Sequence, residues 1–119
     1  MTSPSDPRCI FCKIVSRTIP ATFVYEDDDI VAFQDAHPAA PVHALVIPRK
    51  HIAGIEDVST GDAQLLGRVM LSARSVAAKL GLSADGYRLV VNQGATAGQS
   101  VFHLHCHVLG GRAFSWPPG

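Results

Sequence analysis

The stretch SVFHLHCHVLGG, residues 100–111, sets three of the chain's six histidines at every second position inside an apolar run. Alternation of this kind marks an extended strand, whose side chains point to opposite faces in turn. A strand over 101–109 puts His103, His105 and His107 on one face and Leu104, Cys106 and Val108 on the other. At about 3.4 Å per residue, His103 and His107 would lie about 13–14 Å apart along it. Three rings so spaced do not converge on one ion, though a neighbouring pair can, so the face is expected to do more than one job. A lone histidine is usually a satisfied core residue. Three in register are different, because burying three rings without partners costs about 1–3 kcal/mol each. Imidazole is also the side chain suited to nucleophilic and acid–base work near neutral pH. A functional site is expected here.

Working outward, YRLVVNQ (87–93) reads as the strand before this one, joined to it through the glycine-containing turn GATAGQ. TFVYE (22–26) and DIVAFQD (29–35) are rich in β-branched and aromatic residues and flank acidic turn residues, the pattern of a hairpin. VHALVI (42–47) is a further strand, ended by Pro48, after the loop AHPAAP (36–41). Ile10, Phe11, Ile14 and Val15 recur at one-turn spacing and predict a short helix, which Pro20 stops from running on. One long helix is expected over 61–80. Ser59 or Thr60 can cap it, Asp62 suits its first turn and Gly81 its C-terminal stop. Leu66, Val69, Met70, Ala73, Val76, Ala77 and Leu80 form its apolar stripe, expected to pack on a sheet. The fold class is therefore α+β: five strands, mostly joined by short turns, with one long and one short helix.

At 119 residues the chain is expected to hold one domain, over 9–119, behind a disordered tail at 1–8 whose MTSPSDPR is polar and proline-rich. Ten basic residues balance ten acidic ones, which removes the electrostatic footprint of a duplex nucleic-acid binder. No apolar run approaches the ~20 residues of a membrane span, and no signal-peptide core is visible, so a cytoplasmic protein is expected. Three cysteines without a secretory signal argue against a disulfide framework. Cys106 is expected to pack as a small apolar residue. Cys9-x-x-Cys12 is half of a tetrahedral zinc pattern, and a redox pair or two structural cysteines would look the same.

HLHCHVL fits the pattern His, apolar, His, apolar, His and two apolar residues, and resembles the histidine triad (HIT) family. The likeness extends through IFCKIVSRTIPATFVYEDDDIVAFQDAHPAAPVHALVIPRKHI, LGLSADGYRLVVNQGATAGQSVFHLHCHVLGGR and the closing WPPG, nearly all of the chain after residue 8. These segments look like the Hint branch, which implies a HIT-like fold with a five-stranded antiparallel sheet. The resemblance also implies cleavage at the α-phosphorus of a nucleotide through a nucleotidyl-histidine intermediate. His105 would be the nucleophile, and His107 would donate to the non-bridging phosphate oxygens. His43 would support proton relay beside them. The turn around Gly98, Gln99 and Ser100 would approach the phosphate with backbone N–H groups and a hydroxyl. Asp35 matches the acidic residue that binds the ribose hydroxyls, and Asn92 an asparagine of the ribose-phosphate site. Phe11, Ile14, Ile19, Phe33 and Leu45 match the apolar purine pocket. Without the resemblance these five read equally well as plain core.

His51, in PRKH, and His103 match the histidines that complete a Cys2His2 zinc site with Cys9 and Cys12 in zinc-binding HIT proteins. The eukaryotic Hint proteins lack this cysteine pair, whereas many bacterial HIT proteins have it. With four protein ligands, zinc would be structural. The resemblance further implies a homodimer in which the SWPPG tail reaches toward the partner's site and Trp116 affects which leaving groups fit. Ser115 stands where close relatives often carry histidine, a departure that bears on fine substrate preference. The implied partners are purine nucleotides such as AMP or GMP and their phosphoramidates, with neither nucleic acid nor membrane. The leading expectation is a purine nucleoside phosphoramidase. The alternatives are dinucleoside polyphosphate hydrolysis or nucleotidyl transfer, a non-enzymatic nucleotide-binding module, and, last, a zinc-binding adaptor that would leave His105 and His107 unexplained.

Overall fold

The apolar spacing of IFCKIV produces helix α1, Ile10–Val15, in a computed structural model that describes residues 5–119. Its N-cap is Cys9, whose Sγ accepts from the Cys12 N–H at 3.3 Å. Residues 1–4 of the expected tail lie outside the described residues, and in the remainder Asp6 meets the cysteine pair. Asp6 takes the Cys9 N–H on its carbonyl (3.0 Å) and donates its own N–H to Cys12 Sγ (3.4 Å). These bonds close a turn onto the cysteine pair.

The hairpin forms as expected from β1, Phe23–Glu26, and β2, Ile30–Gln34. Asp27 Oδ1 closes the turn by accepting from the N–H groups of Asp29 and Ile30, both at 2.8 Å. Strand β3, Val42–Pro48, pairs with β2, and the last two strands are β4, Arg88–Val90, and β5, Cys106–Gly110. The sheet is antiparallel throughout, in the order β1-β2-β3-β5-β4.

Both late strands are shorter than the sequence suggests. β5 begins at Cys106 rather than Val101, because the backbone before it turns away and Leu104 N–H donates to Ile52 O at 2.7 Å instead of to a neighbouring strand. β4 then stops at Val90, opposite His107, since residues 91–93 have no strand left to pair with.

The long helix α2 covers Ala63–Lys79 behind a 3-10 turn at Thr60–Asp62. Ser59 and Asp62 form a reciprocal capping box, and Lys50 Nζ holds Asp62 at 2.7 Å. At the other end Gly81, at φ 78°, lets Leu82 N–H return to Ala77 O and Gly81 N–H to Ala78 O, a Schellman closure. Val69, Ala73, Val76 and Ala77 pack on Val24, Ile30, Ala32, Ala44, Val46, Cys106 and Val108. Met70 is a correction to the expected stripe. It is 49% exposed beside Leu71 at 54%, because at that point the helix turns this side away from the sheet.

Alternation gives the opposite sheet face to other residues. Val31 and Phe33 of β2 and Leu45 and Ile47 of β3 meet Phe11 and Ile14 of α1 there. His107 is opposite Leu45 in the β3–β5 register, so it too emerges on the face that α2 leaves open. That face carries the site.

Candidate active site and metal centre

The three alternating histidines do not share one strand. Only His107 lies on β5; His103 and His105 occupy the bent segment that leads into it. The bend separates their environments more sharply than strand alternation would.

His103 is fully buried and faces the cysteine pair. Its Nδ1 lies 3.4 Å from Cys9 Sγ, 3.5 Å from Cys12 Sγ and 3.3 Å from His51 Nδ1, while His51 Nδ1 is 3.4 Å from Cys12 Sγ. Zinc bonds of about 2.0–2.1 Å to nitrogen and about 2.3 Å to sulfur imply tetrahedral edges of about 3.3–3.4 Å (N to N) and about 3.5 Å (N to S). The donor types and spacings fit that ion. His103 Nε2–H donates to the Pro48 carbonyl at 2.8 Å, so its Nδ1 lone pair is the one turned to the sulfurs. Burial lowers the pKa of His103 to about 4, which keeps that lone pair free of a proton at neutral pH.

His105 turns the other way. Its Nδ1–H donates to the His103 carbonyl at 2.6 Å, which places the lone pair on Nε2. Among the described residues no buried side-chain nitrogen lacks a partner. Nε2 has no protein partner, so it opens onto the adjoining cavity, which His105 lines. The ring is held from the side by Phe11, edge-on at 5.1 Å between centroids and 83° between planes, and by His107 at 4.9 Å.

A second hydrogen-bond chain sets His107. The Ala39 N–H donates to His43 Nδ1 at 3.0 Å, so neutral His43 carries its proton on Nε2. That proton is donated to His107 Nδ1 at 2.9 Å, with Asp35 Oδ2 a longer 3.4 Å from the same nitrogen. His107 must then carry its own proton on Nε2, as a donor. Asp35, His43 and His107 could in principle hold a metal between them. At 2.9 Å, however, the two ring nitrogens are closer than the about 3.3 Å edge of a zinc tetrahedron, so this is a hydrogen bond. Burial lowers the His43 pKa. Burial first, then the neighbouring His105 and His43, lowers that of His107 to about 4. Both rings are neutral at pH 7.

The cavity beside these rings is about 690 Å³. Phe11, Ile14, Ile19, Phe33 and Leu45 supply its apolar wall, and Asp35, Ser100, His105 and His107 line it as well. Three of the expected contacts do not reach it. Gln99 is buried with its Oε1 accepting from Gly94 N–H and its Nε2 donating to Ala53 O and Val101 O, so its amide braces the loop. The N–H groups of Gly98 and Gln99 are also turned inward, to Ala95 O and Gly94 O. Asn92 sits against Gly98 and is not part of the cavity wall. His43 stands behind His107. Trp116 is 81% exposed, outside the cavity, on a tail that is pinned by Arg88 donating to Ser115 O at 2.9 Å.

Other contributors were not expected. Thr22, Gln34 and His37 line the cavity mouth, and the only sequence signal for His37 is its place two residues after Asp35. The backbone groups of Pro48 and Ala39, which set two ring tautomers, leave no side-chain signature at all.

Comparison with known proteins agrees with this architecture. The HIT domain model matches residues 16–114. An uncharacterized HIT-like protein of Synechocystis is 56% identical over 110 residues, covering 92% of this chain and 96% of that protein. The crystal structure of a HIT family hydrolase from Legionella pneumophila superposes with a TM-score of 0.91 at 52% identity, covering 94% of this chain and all of that one. A HIT family hydrolase from Clostridium thermocellum gives 0.91 at 46% identity, covering 93% and 96%. With its fold, its histidine row and these relatives in agreement, the chain belongs to the HIT domain family.

Proposed function

We propose that the protein is a nucleotide hydrolase that cleaves purine nucleoside phosphoramidates at the α-phosphorus. The observation that carries this reading is the paired tautomers at the cavity edge: a bare Nε2 on His105 beside a proton-bearing Nε2 on His107. A nucleophile and an oxyanion donor are what phosphoryl transfer to a side chain requires.

The purine would lie in the apolar wall of Phe11, Ile14, Ile19, Phe33 and Leu45, with the ribose hydroxyls toward Asp35. His105 Nε2 attacks the α-phosphorus and forms a P–N bond. A general acid at the open mouth protonates the bridging nitrogen, so the bond to the leaving group breaks to release a neutral amine. His107 Nε2–H and the Ser100 hydroxyl steady the phosphate oxygens as charge builds on them. Water then attacks the phosphoimidazolium, loses a proton, and releases AMP or GMP with neutral His105 restored.

The choice of an amine over a polyphosphate leaving group rests on charge. Among the described residues lining the cavity there is no lysine or arginine, so a chain of further phosphates would find no fixed countercharge. Zinc on Cys9, Cys12, His51 and His103 would be structural, because four protein ligands leave no position open for substrate. A cytoplasmic homodimer, with Trp116 of each tail near the partner's site, completes this reading. No helix among the described residues is long and apolar enough to cross a membrane.

The test is incubation with an adenosine phosphoramidate, with and without His105→Ala. The native protein should release AMP and yield a trapped nucleotidyl-protein modified at position 105. The variant should do neither, and equal turnover in both would overturn the mechanism.

A further inference from the structure

The cysteine–histidine cluster and the nucleophile are joined twice. The first joint is His103 itself. Its side chain is one of the four metal donors, while its backbone carbonyl accepts the His105 Nδ1–H at 2.6 Å. The second is Phe11, which stands between Cys9 and Cys12 in sequence. Its ring packs edge-on against His105 at 5.1 Å, Phe33 at 5.4 Å and His103 at 6.0 Å. One wall of the base cavity and one face of the nucleophile are thus carried by the residue between two donors.

Apart from the cluster, these parts rest on the packing of Phe11 and Ile14 against Val31, Phe33, Leu45 and Ile47 and on a few hydrogen bonds. Helix α1 has six residues, far below the ~12–15 at which a helix persists alone. Its first turn is capped by Cys9 Sγ, itself a donor. The segment 101–105 makes no sheet ladder, and it is tied to the rest of the domain by Leu104 N–H to Ile52 O, Gln99 Nε2 to Val101 O and His103 Nε2–H to Pro48 O. By contrast, the core between α2 and the sheet contains none of the four donors and no residue of α1. Loss of the cluster can therefore release the nucleophile's supports and leave the sheet folded.

The geometry points to Cys9, Cys12 and His51, acting through His103 and Phe11, as positioning residues: metal on the cluster holds His105 in one tautomer and holds the base wall in place. Its effect on nucleotide affinity rests on the function proposed above; its effect on the His105 ring does not. Because the first joint is a main-chain carbonyl, no substitution of the His103 side chain isolates it. Metal occupancy is the variable to change.

The experiment takes the zinc-loaded chain, its metal content measured, then strips it with a chelator and reloads it. Three quantities are followed: the ring nitrogen NMR shifts of His105, AMP affinity, and far-UV circular dichroism. Stripping should turn a single Nδ1–H tautomer into a mixture and weaken AMP binding roughly 5- to 150-fold, the effect expected when one buried hydrogen bond is lost. The dichroism of the sheet and α2 should remain, and reloading should reverse both losses. His51→Gln, at a residue that does not line the cavity, should show the same paired losses, partly recovered by excess zinc.

The proposal falls if the chain takes up no zinc. It falls if the tautomer stays single after stripping, or if stripping unfolds the whole domain. If the loaded chain ignores AMP while the His105 ring still follows the metal, the positioning role stands and the nucleotide reading fails. If AMP binds equally well with and without metal and the ring does not change, the reverse holds.

Discussion

The proton on His107 traces back to a main-chain group. Because Ala39 N–H donates to His43 Nδ1, His43 holds its proton on Nε2, and because that proton is donated to His107 Nδ1, His107 presents N–H to the cavity. Replacing His43 with Ala leaves His107 free to take either tautomer and leaves a half-buried nitrogen without its donor. A lost bond of this kind costs about 1–3 kcal/mol, so kcat for the hydrolysis proposed above should fall roughly 5- to 150-fold. KM should change little, since His43 does not line the cavity. His43→Gln, which keeps an N–H donor, should recover part of the rate, and steady-state kinetics on the two variants checks both expectations. At this scale the sequence was legible where side chains act by type. The resemblance carried His105, His107, Asp35 and the five apolar wall residues to positions that all line the cavity. It also placed Gln99 in the phosphate turn, where the amide braces its own loop through Gly94, Ala53 and Val101, a role the residue type alone does not reveal.

Strand β5 shows what period alone could and could not reveal. The two-residue alternation of VFHLHCHVL correctly separates Cys106 and Val108, in the core under α2, from His107 on the open face. It cannot tell a paired strand from an extended segment that has left the sheet, since both alternate. What bends 101–105 away is the bond from Leu104 to Ile52 O and that from His103 to Pro48 O, both to backbone about fifty residues distant. The C-terminal end of the same strand makes a packing prediction. A Cβ at Gly110 would lie 2.6 Å and 2.7 Å from the two terminal methyl groups of buried Leu82. Gly110→Ala should therefore destabilise the domain by about 1–3 kcal/mol, the usual cost of overpacking. Leu82→Ala alone should cost about 2–5 kcal/mol. The double variant should be more stable than the sum of the two losses predicts, because the new methyl group occupies part of the space vacated. Denaturant unfolding of the three variants measures this, and strict additivity would mean that the strand shifts instead of clashing.

Across the whole molecule, the open face concentrates imidazoles that stay neutral when folded. His107 has a folded pKa of about 4 against an ordinary value of 6.5, with burial the largest cause. Between those two values the unfolded chain binds a proton at this residue and the folded chain does not, so stability rises with pH through that window. Stated for acidification, the stabilising contribution is whole above pH 6.5 and drains away as the pH falls toward 4. His43 moves in the same direction, also through burial. The acidic groups facing His107 only moderate this, since Asp35 acts to raise its pKa and is outweighed by burial and by the neighbouring histidines. The domain should therefore lose stability steadily from pH 6.5 to 4, before its carboxylates are titrated in bulk. His107→Asn, which removes the titrating ring and keeps a side chain of moderate size, should flatten the decline. Tm measured at intervals across the window, for both proteins and with the metal content held constant, checks the slope. Parallel declines in the two would mean that His107 is already protonated in the folded state at pH 6. In that case His107 would no longer be the neutral donor that the hydrogen-bond chain from Ala39 requires, and the pairing of bare and protonated nitrogens at the cavity edge would have to be reassigned.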